Sequence, residues 1–141
     1  MVSHERDDSR QLFLTVWQKY QSQQPLEPLE QNILQIMLEH PEYHAAFNQP
    51  ESLQTKEFHP ELGEVNPFLH LGLHLALREQ IAIDQPAGIT TIYQQLLQRH
   101  QGDVLTTEHQ MMEPLTQWIW SALNNPTTAN TEHYLEQLRR L

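Results

Sequence analysis

The chain has 141 residues, no cysteine, and eighteen acidic against eight basic side chains, for a formal net charge of −10. This length fits one domain covering residues 1–141, and the lack of cysteine excludes a disulfide framework and thiol metal ligands. No basic stripe, secretory signal or membrane-spanning apolar run is present. We therefore expect a cytoplasmic protein that binds neither nucleic acid nor membrane.

Apolar residues recur at helical spacing along almost the whole chain, and no segment shows the period-two alternation of strands. The pattern predicts an all-α protein, a compact bundle of about five to six helices. The first helix is expected over about residues 8–22. Its predicted caps are Asp7, Asp8 and Ser9.

The second helix opens after Pro25 and Pro28 and is expected to stop at His40, because Pro41 pushes its predecessor out of helical geometry. A short further turn is predicted through His44 and Phe47. Residues 48–65 are rich in proline, glutamate and glycine, so we expect a long loop there.

Asn66 and Pro67 are a typical helix start, and the helix that follows is expected to cover residues 67–83. It is apolar nearly all round, which predicts that it is the central helix of the bundle. Gly72 would permit the close approach of a neighbour.

Three more helices are predicted, over residues 86–100, residues 104–124 and a final stretch capped by Thr131. Pro114 lies inside the second of these. Because proline removes a backbone hydrogen bond, we expect a kink or a break near Glu113.

Six of the nine histidines are expected to meet at one end of such a bundle, because short connections make consecutive helices antiparallel neighbours. They are His40, His44, His70, His74, His100 and His109. At about 3.6 residues per turn, three of the helices would direct an imidazole inward.

A histidine pair four residues apart can hold one metal ion, and a third histidine from a neighbouring helix completes a set with positions left for water or substrate. We take His70, His74 and His109 as the first choice, with His40 or Glu113 as the fourth ligand. The ion would be divalent zinc, iron or nickel. Carboxylates that could fix the ring tautomers are Glu39, Glu42 and Glu108.

The competing interpretation is that these imidazoles cap helix ends and bond to carboxylates or backbone carbonyls around an ordinary core. Arg78, one turn after His74, would repel a nearby cation unless it pairs with an acidic neighbour or holds an anionic substrate. The His-Glu-x-x-His and Glu-x-x-His motifs are absent, which disfavours metalloproteases and ferritin-like di-iron oxidases.

Three blocks of the chain, HPEYH at 40–44, NPFLHLGLHLALREQ at 66–80 and EHQMMEPL at 108–115, resemble a bacterial, mostly proteobacterial family of small proteins with a domain of unknown function. The resemblance covers nearly the whole chain and implies a bacterial cytoplasmic setting, but no reaction. In histidine spacing alone, the chain is also similar to the three-histidine metal bundles of the damage-inducible type.

Two hypotheses follow. In the first, the histidine cluster binds a divalent metal that activates a water molecule for hydrolysis or group transfer. In the second, the chain is a non-catalytic acidic helical module that binds a protein partner or a second copy of itself through its terminal helices.

Overall fold

The computed structural model describes residues 4–127 and 130–141. Within these residues it contains eight α-helices, two short 3-10 turns and no strand. The helices are α1 (His4–Gln21), α2 (Pro28–Leu38), α3 (His44–Phe47), α4 (Pro50–Thr55), α5 (Pro67–Ile83), α6 (Ile89–Arg99), α7 (Val104–Asn124) and α8 (Thr131–Arg139). The 3-10 turns are Pro41–Tyr43 and Pro60–Leu62. The all-α class is confirmed, whereas the predicted number of helices was too low.

The chain divides into two compact units, Met1–Gly72 and Leu73–Leu141, and the boundary falls inside α5. We describe each unit by itself. The expectation of one domain over residues 1–141 stays a prediction.

In the first unit, α1 packs against α2 and α4. Its buried apolar residues come from these three helices, from α3 and from the first turns of α5: Phe13, Leu14, Val16, Trp17, Ile33, Ile36, Met37, Phe47, Leu53, Phe68 and Leu71. The histidine-bearing segment after α2 therefore starts from a well-packed helix.

The segment predicted as a long loop contains α4 instead, together with the second 3-10 turn. Pro50 occupies the first helical position, where its missing N–H costs no hydrogen bond, and Leu53 is buried. The guanidinium of buried Arg10 then donates to the carbonyls of Leu53, Gln54 and Lys56 at 3.2, 3.2 and 2.7 Å. Carbonyls at the end of a helix lack partners within the helix, and here Arg10 supplies donors for them. The sequence around α4 gives no indication of this distant partner.

Helix α5 begins as predicted, since the side chain of Asn66 accepts hydrogen bonds from the N–H groups of Phe68 and Leu69. The expectation that it is apolar and buried nearly all round was wrong. Leu69 is 60% exposed and Ile83 55% exposed. One face is buried, and it carries Phe68, Leu71, His74 and Leu77. The helix is therefore amphipathic, with a histidine in its buried row.

In the second unit, α7 packs against α6 and α8. The core cluster consists of Leu77, Ile89, Ile92, Leu96, Met111, Met112, Leu115, Tyr134, Leu135 and Leu138. The ring of Trp118 stacks on Tyr134 with a centroid distance of 4.8 Å. This core fixes the inner face of α7, on which Glu108 also lies.

Two predicted helix caps were wrong, and so was a predicted break inside α7. Helix α1 begins at His4, so the predicted caps at residues 7–9 lie inside it. Helix α7 continues without a break through Pro114, which is buried, and a kink at this position stays a prediction. Helix α8 is capped by Asn130, whose side chain accepts from the His133 N–H, rather than by Thr131.

Among the residues that the structure describes, every helix is too short or too polar to cross a lipid bilayer.

Glu30 joins α2 to α1 and generates a prediction about acid stability. Its carboxylate accepts from the Lys19 ammonium at 2.8 Å and from the Glu27 N–H at 2.9 Å. These two hydrogen bonds lower the pKa of Glu30 below its usual value of 4.5. Its stabilising effect is therefore complete above that value and is lost as the pH falls through the lower, folded-state pKa.

We expect Glu30→Gln to lower the melting temperature at pH 7. The difference in melting temperature between the variant and the wild type should shrink below about pH 4.5. It should vanish once Glu30 of the wild type is protonated, because both proteins then carry a neutral group at position 30. Thermal unfolding between pH 2 and 7 tests this, with Glu79→Gln on the exposed face of α5 as the matched charge control. A difference that persists unchanged to pH 2 would contradict it.

Candidate metal centre

Helix α5 carries His70, His74 and Arg78 at intervals of four residues. Residues four apart lie on the same face of an α-helix, with Cβ atoms about 5–6 Å apart. The three polar side chains therefore form one row along the helix. Their surroundings differ, since His74 is fully buried and the other two are partly buried.

In the first unit, His70 contacts His40. The two Nε2 atoms are 3.2 Å apart, and the ring centroids are 5.0 Å apart in an edge-to-face arrangement. His40 is 1% exposed and lies between the end of α2 and the turn that starts at Pro41. Pro41 ends the helix there and thereby places the ring of His40 beside α5.

The other ring nitrogen of His40 fixes its tautomer. Nδ1 lies 2.7 Å from the carbonyl oxygen of Ile36, one turn back in α2. A carbonyl can only accept, so Nδ1 carries the proton and donates it. In the neutral ring Nε2 then carries the lone pair that faces His70.

In the second unit, His74 and Arg78 share one carboxylate, that of Glu108 on α7. Nε2 of His74 lies 2.8 Å from Oε1 of Glu108. The Arg78 guanidinium donates to both oxygens, from Nε to Oε2 at 3.0 Å and from Nη2 to Oε1 at 2.9 Å. The Glu108 side chain is only 5% exposed and that of Arg78 is 26% exposed, so this is a bidentate ion pair with a nearly buried carboxylate.

Burial by itself raises the pKa of Glu108, but the hydrogen bonds from His74 and Arg78 outweigh it and hold the pKa below its usual value. Glu108 is therefore ionised at neutral pH. An ionised carboxylate only accepts, so His74 donates from Nε2, and in the neutral ring its Nδ1 carries the lone pair. The prediction that Glu108 fixes a ring tautomer agrees with this contact.

His109 follows Glu108 on α7, and its ring contacts that of His74 at a centroid distance of 5.1 Å. His109 is exposed. Each histidine of α5 thus has one imidazole neighbour within its own unit. His40, His70, His74 and His109 are a group of described residues that could hold a metal ion, each offering one ring nitrogen.

The other predicted residues lie elsewhere. Glu113 is exposed, and its carboxylate accepts from the side chain of Gln117. His44 donates to the carbonyl of Met37 at 2.8 Å and its ring lies against Trp17. His100 occupies the carboxyl end of α6.

Sequence reasoning missed Tyr43 as a neighbour of the histidines and left the partner of Arg78 open. Tyr43 stacks on His40 with parallel rings 5.8 Å apart, and burial raises its pKa. Arg78, which was expected to pair with an acidic neighbour or hold an anionic substrate, forms a bidentate pair with Glu108, thirty positions away. The four-residue interval from His70 through His74 to Arg78 indicated one polar row on the helix. Nothing in that interval indicated that Glu108 would be the partner of the row.

A family model described as a domain of unknown function (DUF1841) matches residues 5–140. The chain belongs to this family. The membership agrees with the resemblance of the three sequence blocks, although the proteobacterial origin stays a prediction. Neither a curated protein nor a solved structure was found to match the chain. The family assignment carries no reaction, so any function must be argued from the site.

Removal of the shared carboxylate should destabilise this member of the DUF1841 family. Glu108→Ala leaves the Arg78 cation and the buried His74 N–H without their acceptor, and we expect a loss of about 2–4 kcal/mol in the free energy of unfolding. Urea unfolding of the metal-free protein measures it. Glu113→Ala, five residues along the same helix and exposed, should change it by less than about 0.5 kcal/mol. Equal effects of the two substitutions would contradict the structural importance of the Glu108 pair.

Proposed function

We propose that this protein binds one divalent transition-metal ion through the imidazoles of His40, His70, His74 and His109. The observation that carries the proposal is the 3.2 Å separation between Nε2 of His40 and Nε2 of His70. Two nitrogens that bind one zinc ion at 2.0–2.1 Å in tetrahedral geometry lie about 3.3–3.4 Å apart. The separation of these two nitrogens is therefore already close to that of a zinc-bound pair.

The spacing on α5 extends the proposed set to the second pair. His70 and His74 project from adjacent turns of one continuous helix, and each has a second imidazole beside it. Adjacent turns bring side chains within contact range. We propose that the two pairs act as one four-nitrogen set on this basis.

The donor chemistry selects the class of metal. Imidazole nitrogen suits zinc, iron, nickel and copper, whereas calcium and magnesium require mainly oxygen ligands. Four histidines fill the tetrahedral shell of zinc, so our proposal is metal binding rather than hydrolysis. Glu113 stays outside the proposed set because its carboxylate is exposed and bonded to Gln117.

Zinc binding to the chelator-treated, tag-free wild type tests the proposal. We expect one zinc ion per chain, and zinc at 100 times its Kd should raise the free energy of unfolding by about 2.7 kcal/mol. Loss of a group that only hydrogen-bonds to a ligand weakens metal binding by roughly 10–100-fold. His70→Ala should weaken zinc binding by more than this, because it removes one of the four proposed ligands. Metal analysis and isothermal titration calorimetry measure these values.

Two histidines outside the set provide controls. His44→Ala alters a partly buried imidazole that donates to a backbone carbonyl, and His133→Ala alters one at the start of α8. Neither should change zinc affinity by more than about threefold, even if His44→Ala lowers stability. Loss of binding in the controls equal to that in His70→Ala, or no zinc binding by the wild type, would overturn the proposal.

One observation favours the alternative function, an acidic helical interaction module. Trp120 and Leu123, one turn apart near the end of α7, are 63% and 78% exposed. Large apolar side chains exposed together are common at protein interfaces. The predicted cytoplasmic setting and the absence of a nucleic-acid partner belong equally to both functions and stay predictions.

Sedimentation of the wild type and of a Trp120→Glu, Leu123→Glu variant tests this alternative with a second copy of the chain as the partner. A dimer that the double substitution converts to a monomer would support it. A wild type that stays monomeric at high micromolar concentration would contradict it, without affecting the metal proposal.

A further inference from the structure

We infer that the proposed ion is held through two different kinds of ring atom, Nε2 of His40 and Nδ1 of His74, and that Glu108 and Arg78 are the positioning residues that impose this choice on His74. The inference rests on the proposed function, since it names the ligand atoms of that same centre. It concerns which nitrogen faces the ion, which neither residue identity nor spacing determines.

For His40 the choice follows from the end of α2. The last carbonyls of a helix have no partner within the helix, and the Nδ1–H of His40 satisfies the carbonyl of Ile36 at 2.7 Å. Exchange of this proton to Nε2 would leave a buried carbonyl without that donor. The backbone therefore holds His40 in the tautomer whose Nε2 lone pair is directed at His70.

For His74 a carboxylate takes the place of the carbonyl and selects the opposite nitrogen. Glu108 lies 2.8 Å from Nε2, so Nε2 keeps the proton and Nδ1 is the atom able to bind a metal. A ligand histidine that donates its other N–H to a carboxylate has a fixed ring orientation and a more basic ligand nitrogen. Glu108 can supply both effects.

Arg78 determines whether Glu108 can act in this way. Nε of Arg78 lies 3.0 Å from Oε2 of Glu108, and Nη2 lies 2.9 Å from Oε1, the oxygen that also faces Nε2 of His74. This bidentate contact fixes both oxygens as acceptors. The positive charge beside the centre is thereby neutralised by the same carboxylate that orients the ligand.

The metal-free protein has a defined proton arrangement under this inference. His40 accepts at Nε2, so the hydrogen bond between the two rings requires His70 to donate from its own Nε2. The ion would displace that proton from Nε2, and the neutral ring of His70 would then carry its proton on Nδ1. His40 and His74 would bind without any change of tautomer.

Nitrogen-15 NMR of the wild type labelled at histidine tests the inference, with zinc as the probe and single His→Gln variants for assignment. In the metal-free protein we expect His74 as the Nε2–H tautomer and His40 as the Nδ1–H tautomer. One equivalent of zinc should shift Nδ1 of His74 and Nε2 of His40, while both N–H protons persist. A zinc-induced shift at Nε2 of His74 would overturn the inference.

Substitution of the positioning residues provides the second test. Glu108→Gln keeps the shape and an acceptor oxygen but can also present an amide donor, so it should weaken zinc binding by about 10–100-fold and mix the tautomers of His74. Arg78→Lys keeps the charge but removes the forked contact. It should therefore weaken zinc binding and mix the His74 tautomers, each to a smaller extent than Glu108→Gln. Glu113→Gln is the matched control on α7 and should leave both as in the wild type.

The outcomes separate this inference from the proposed function. No zinc binding by the wild type overturns both. Zinc binding that depends on the four histidines, combined with wild-type affinity and a single His74 tautomer in Glu108→Gln, overturns the inference alone. A merely structural role for Glu108 would lower stability without altering the tautomer.

Discussion

The buried carboxylate of Glu108 is the charge on which the histidine arrangement of the second unit depends. It receives two donors from α5, His74 and Arg78, and the pair of donors is what keeps it ionised in spite of its burial. A guanidinium one turn from a ligand would ordinarily repel a metal ion. Here the carboxylate lies in contact with both side chains, so in the proposed centre Arg78 would support the ligand His74 instead of opposing the ion.

The structural and the metal-binding interpretations of the histidines are not exclusive. His40 satisfies a carbonyl at the end of α2, as an ordinary capping residue does, and this same bond leaves the lone pair on Nε2 facing another imidazole. His44 makes a comparable bond to the Met37 carbonyl, but its ring lies against Trp17. Both histidines therefore donate to a carbonyl at the end of α2. They differ in what lies beside the rest of the ring, which is another imidazole for His40 and Trp17 for His44.

The features predicted correctly from the sequence are those that depend on residues close together in the chain. Asn66 and Pro67 marked the start of α5, and the four-residue interval between His70 and His74 placed both on one face. The contacts that sequence reasoning missed join residues distant in the chain. Helix α4 ends on donors from Arg10, more than forty positions earlier, and no periodicity in residues 48–65 reports such a partner.

Burial within the proposed set bears on its chemistry. His40 and His74 are almost fully buried, whereas His109 is exposed and belongs to a turn of α7 that meets solvent. An ion would therefore enter and exchange ligands on the side of His109. With all four imidazoles bound, zinc has no position left for a substrate, as in structural sites; hydrolysis would require His109 to dissociate or a metal that accepts more than four ligands. In the proposed set, the exposure of His109 is thus the feature that would decide between a storage or structural centre and a catalytic one.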